Sequence, residues 1–61
     1  MPLSNAELLT ILYNRMTRLA NDRLVAVAQG DDASVEAIDA EATATAARIN
    51  DAGGPPWLPP D

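Results

Sequence analysis

One unbroken stretch, Ser4 to Ala28, constrains this chain more than any other, because apolar residues recur through it at helical spacing with no proline or glycine between them. On a helical projection Leu8, Leu9, Leu12, Tyr13, Met16, Leu19, Ala20, Leu24, Ala26 and Val27 fall on one arc of roughly 160°, opposite Glu7, Thr10, Asn14, Arg18, Asn21 and Asp22. That arc is wider than a single neighbouring helix covers. Ile11 and Val25 lie outside it, toward the polar side, and would suit a second contact surface. The helix start is marked twice. Ser4-Asn5-Ala6-Glu7 fits a capping box, with Glu7 reaching back to the serine N–H, and Leu3 and Leu8 sit where a hydrophobic staple forms.

Gln29-Gly30-Asp31-Asp32 reads as a helix stop followed at once by a helix start: glycine accepts the left-handed C′ conformation and aspartate caps the next helix. So short a connection makes the two helices antiparallel neighbours. Asp31, Asp32 and Glu36 also place negative charge at the positive end of the second helix dipole. The second helix is expected from about 33 to 52, closed by Gly53-Gly54 and proline. Its apolar seam, Val35, Ile38, Ala42, Thr45, Ile49 and Ala52, steps by 3, 4, 3, 4 and 3 residues. Alanine lets the axes approach closely, but only Val35, Ile38 and Ile49 bring substantial area, too little for the broad face of the first helix.

Beyond the second helix the chain changes character. In the segment 53–61, Gly-Gly-Pro-Pro-Trp-Leu-Pro-Pro-Asp, flanking prolines push Trp57 and Leu58 toward an extended, polyproline II-like path. Two roles compete for the chain's single tryptophan. It can fold back to close a small core, as a staple; or it can anchor a docking peptide, Pro56-Trp57-Leu58-Pro59, in which proline lowers the entropy lost on binding. We take docking as the expectation.

The residue inventory excludes most chemistry. With no His, Cys or Lys, the usual general base, thiol and amine nucleophiles and zinc ligands are missing. Ser4 and Ser34 are explained as helix-start residues. Glu36 and Asp39 stand one turn apart, but carboxylate metal sites in bundles pair Glu with His at that spacing, and Asp31-Asp32 lacks the ligand pattern of a calcium loop. We expect no enzyme activity, no cofactor, no metal and no small-molecule substrate. Arg23 is the one charge within the apolar arc. In an antiparallel hairpin it comes level with Ile38 and Asp39, so Asp39 or Glu36 can accept from it; otherwise its stem packs while the guanidinium reaches solvent, or it meets a partner.

Sixty-one residues make one domain at most, and a chain of this size buries only about 60% of its unfolded surface. Without disulfides or zinc, the remaining means of stabilisation is association. The longest apolar run, Leu24 to Ala28, falls far short of the roughly 20 residues of a membrane span, and Met-Pro-Leu-Ser-Asn is no signal peptide, so a cytoplasmic or particle-incorporated protein is expected. The net charge of −5 divides unevenly. Up to Ala28, Arg15, Arg18 and Arg23 face Glu7 and Asp22; beyond it Arg48 stands alone against seven carboxylates. That acidic half argues against nucleic acid. Arginine without lysine, and abundant alanine, suit GC-rich coding and hence a bacterial or phage source.

In outline the chain resembles the small helical hairpins with a Trp-x-Gly turn found in actinobacteria. Its turn, however, is Gln29-Gly30-Asp31 and its tryptophan lies in the tail, so no residue role carries over. The expectation is an all-α fold: a hairpin over 1–52, with helix 1 about 5–28, turn 29–32 and helix 2 about 33–52, and an extended Pro-rich tail, completed by oligomerisation or docking. The expected function is a non-enzymatic protein–protein interaction or assembly module, such as an accessory subunit of a phage particle. Its contacts would be Leu9, Leu12, Met16, Leu19 and Arg23 on the first helix and Pro56, Trp57, Leu58 and Pro59 in the tail. The alternatives are a regulator that sequesters a protein target, and a membrane-surface or nucleic-acid binder acting through the Arg15 and Arg18 face.

Overall fold

The computed structural model describes residues 2–59. Among these there is no strand: the chain is a two-helix hairpin of α1 (Asn5–Ala28) and α2 (Asp32–Asp51). The final residues of the tail, Pro60 and Asp61, lie outside the described part. Ser4 caps α1 by accepting from the Glu7 N–H at 3.2 Å. The reciprocal half of the capping box differs from expectation, since the Ser4 hydroxyl itself donates to Glu7 Oε1 at 3.2 Å. Leu3 and Leu8, expected as a staple, both remain exposed.

The turn is built from two interlocking caps. Gly30, at φ +69°, stands at C′ of α1; its N–H donates to the Val27 carbonyl and that of Asp31 to the Ala26 carbonyl, the bond pair of a Schellman motif. Asp31 then caps α2, its carboxylate accepting the Ser34 N–H at 3.2 Å and the Ser34 hydroxyl at 2.6 Å. One residue thus ends α1 and begins α2, which moves the start of α2 one residue ahead of the expected Ala33. The far end of α2 repeats the device: Gly53, at φ +78°, donates to Asn50 and Gly54 to Ile49. This stops α2 at Asp51, one residue short of expectation.

The core is a narrow line. From α1 it takes Leu12, Leu19 and Ala26, seven residues apart and so two turns apart on one face; from α2 it takes Thr45 and Ile49, the latter 1% exposed. Thr45 is accommodated because its hydroxyl donates to the Glu41 carbonyl at 2.8 Å. Val35, Ile38, Ala42 and Ala52, the rest of the seam, are half-buried. The apolar arc of α1 is not wholly used: Leu24 is 70% exposed and Val27 is exposed as well. The antiparallel register marked by Arg23 and Asp39 sets them level with about Val35 to Ile38, where only those two seam residues bring large apolar side chains.

Ile49→Ala would remove the most buried side chain, at a cost of ~2–5 kcal/mol. That matches the whole stability such a small core supplies, so loss of most helical circular dichroism at 25 °C is the expected outcome. Acid should act first at the turn. The Ser34 hydroxyl, and then its N–H, hold the Asp31 carboxyl below its ordinary value. The folded form therefore binds the proton less readily than the unfolded chain, and this contribution is present above the unfolded carboxylate value, about pH 4, and lost as pH falls through the lower folded one. Asp31→Asn should flatten the acid limb of a pH titration followed by circular dichroism, while leaving a side-chain oxygen to cap.

Candidate interaction surfaces

The groove between α1 and α2 has two edges, and the chain treats them differently. One edge is covered by the tail. Gly54 passes so close to α1 that a β-carbon there would run into Leu9 Cδ2 and the Tyr13 hydroxyl, and would lie 3.3 Å from Ile49 Cγ2. The Tyr13 hydroxyl donates to the Pro55 carbonyl, tying the tail to the middle of α1. Trp57 then forms one wall of a cleft of about 130 Å³ shared with Met16, Leu19, Ala20, Ile38 and Ala42. Beside it Arg23 Nε donates to Asp39 Oδ1 at 2.8 Å. That bond and the opposite charge of Asp39 strengthen the arginine's hold on its proton. Both side chains are about half exposed, so the pair fixes register more than it adds stability.

The expected contact residues divide between buried and exposed positions. Leu12 and Leu19, expected to face a partner, are only 4% and 6% exposed and are spent within the hairpin. Leu9 and Met16 are half-buried, Leu9 against the Gly54 turn and Met16 in the tryptophan cleft. Arg23 is engaged by Asp39, the cross-helix acceptor the antiparallel register offers. Trp57 is half-buried on its own hairpin, as a staple would be; Pro56, Leu58 and Pro59 are exposed, Leu58 to 78%. Tyr13 belongs to the apolar arc but not to the expected contact residues. Its hydroxyl, three residues from Met16 on the same face, is the signal that a backbone acceptor approaches there.

Among the described residues, nothing covers the other edge. A groove of about 550 Å³ runs along it between Ile11, Arg15, Arg18 and Asp22 of α1 and Glu41 of α2, floored by Leu19. Separate depressions lie toward the termini of the hairpin, beside Leu8, Leu12 and Arg48, and toward the turn, beside Asp22, Val25, Ala26 and Ile38. Arg23 to Asp39 is the one ion pair among the described residues, so the charges along this second edge make none. No three acidic side chains among the described residues gather closely enough to hold a metal ion, and no described helix is long and apolar enough to cross a membrane. No family model matches the chain, and neither does any curated protein or solved structure.

At a protein concentration high enough for the chain to be helical, Trp57→Ala should lower its thermal midpoint by an amount corresponding to roughly 1–2 kcal/mol, the value for a half-buried large side chain. Gly54→Ala should shift tryptophan emission to the red without altering Trp57 itself, because the added carbon levers the tail away from Leu9 and Tyr13. An unchanged midpoint and spectrum would show that the tail does not serve as a staple.

Proposed function

We propose that the chain is a non-enzymatic protein–protein interaction or assembly module whose fold is completed by what it binds. The observation that carries this reading is the imbalance on α1. Two large α1 side chains, Leu12 and Leu19, are buried in the hairpin, while Leu8, Ile11, Leu24, Val25 and Val27 of the same helix are exposed. A short chain without cross-links that leaves so much apolar surface in water gains most from burying it against another molecule. Such a module would serve as an extended, Pro-tailed accessory subunit of a larger particle, and an alanine-rich composition with arginine as its only basic residue suits a phage or bacterial one.

Association should therefore be visible as folding. Helicity of the isolated chain by far-ultraviolet circular dichroism is expected to rise with concentration between about 1 μM and about 1 mM, or on addition of a binding partner, as mass action requires when only the folded form associates. A monomer that is fully helical and melts cooperatively at the dilute end would sink the reading.

A further inference from the structure

The uncovered edge of the hairpin points to a particular occupant. Along α1 the exposed residues Ile11, Arg15, Arg18, Asp22 and Val25 step by 4, 3, 4 and 3, a heptad stripe lying on the side away from the tail. The stripe reads apolar, basic, basic, acidic, apolar. Laid against itself antiparallel and centred on Arg18, it places Ile11 opposite Val25, each seven residues from the centre, and Arg15 opposite Asp22, three and four residues from it. Every such contact occurs twice under a two-fold axis, as an isologous interface requires. The two Arg18 side chains meet at the axis, where Glu41 of each copy stands across the groove to accept from them. Arginine suits these positions because its stem covers apolar surface while its fork takes a carboxylate.

Across the whole chain there is surface to spare. The chain exposes 4667 Å², whereas a compact monomer of 6.4 kDa exposes roughly 3,800 Å². That excess of roughly 900 Å² is spread over the whole chain, Leu24, Val27 and Leu58 included, and is surface the hairpin has to spare for a partner. A strongly acidic ligand is disfavoured by Asp22 and Glu41, and a basic one by the arginines in the same groove. Resting on the assembly reading above, we infer that the partner at this edge is a second copy of the chain, docked antiparallel through the Ile11–Val25 stripe to form a four-helix dimer.

Charge reversal tests the pairing. Wild-type protein, sedimented from about 1 μM to about 1 mM, should pass from monomer to dimer. Arg15→Glu and Asp22→Arg should each raise the dimer dissociation constant at least about tenfold, because each sets like charges opposite one another twice. An equimolar mixture of the two variants should dimerise at near wild-type concentration. In the mixed dimer the introduced glutamate of one copy faces the introduced arginine of the other, and the unaltered Arg15 and Asp22 face each other. Recovery in the mixture also shows that neither variant is misfolded. A wild-type monomer throughout overturns the second-copy inference; the assembly reading then stands or falls separately, on whether that monomer is folded when dilute. A dimer that ignores both reversals but dissociates on Leu24→Ser uses the other side of α1, and overturns the inference while keeping the assembly reading.

Discussion

Apolar supply is the constraint on which the rest of this structure depends. The α1 helix brings leucines, methionine and tyrosine; α2 answers with alanine, a threonine and a single fully buried isoleucine. Small residues bring the axes close, but the seam cannot reach round α1, and the chain still exposes about half of the roughly 9,300 Å² that its unfolded form would present. A chain of this length normally buries about 60%. The shortfall falls on the flanks of α1, and the two flanks are handled by different means.

On one flank the chain supplies its own cover. The steps at the end of α2 are tightly coupled: Gly53 reverses the backbone, Gly54 slips beneath Leu9 and Tyr13 where a side chain would not fit, and Tyr13 captures the Pro55 carbonyl. Proline then restricts the path that carries Trp57 onto Met16, Ala20 and Ala42. Cover ends there. Leu24 and Val27 lie further along α1, toward the turn, and they are the residues left most bare of the expected arc.

Local signals are legible in the residues, and the division of a broad face is not. Ser4, Gly30, Asp31 and Gly53 each act through backbone groups within five residues, so helix ends can be read to within a residue. The Arg23 pairing is legible in part: turn length brings the arginine level with Asp39, but leaves Glu36, solvent or a partner as alternatives. By contrast, periodicity assigns residues to a face but does not say whether a second helix, a tail or solvent occupies each sector of it. Leu12 and Leu24 belong to the same apolar arc but lie about 120° apart on it; Leu12 faces α2 and is in the core, whereas Leu24, at the arc's edge, is 70% exposed because α2 does not reach that sector. The tail is likewise ambiguous, because the close approach permitted by Gly54 depends on where α1 lies when the chain turns.

Charge distribution separates the two flanks further. Arg23 is neutralised beside the tryptophan by Asp39, whereas Arg15, Arg18 and Asp22 share a groove with Glu41 and form no ion pair among the described residues. On a molecule of net charge −5, that groove edge is close to electrically balanced, while the turn carries Asp31, Asp32 and Glu36 together. Mutual repulsion between copies is therefore weakest where opposite charges alternate, and strongest at the turn. Long-range electrostatics thus disfavours approach by the turn end and admits approach by the mixed edge, which is also where Ile11 and Val25 lie exposed. Apolar area supplies the affinity in such an arrangement, and the alternation of charge along α1 supplies the direction in which a second helix can lie.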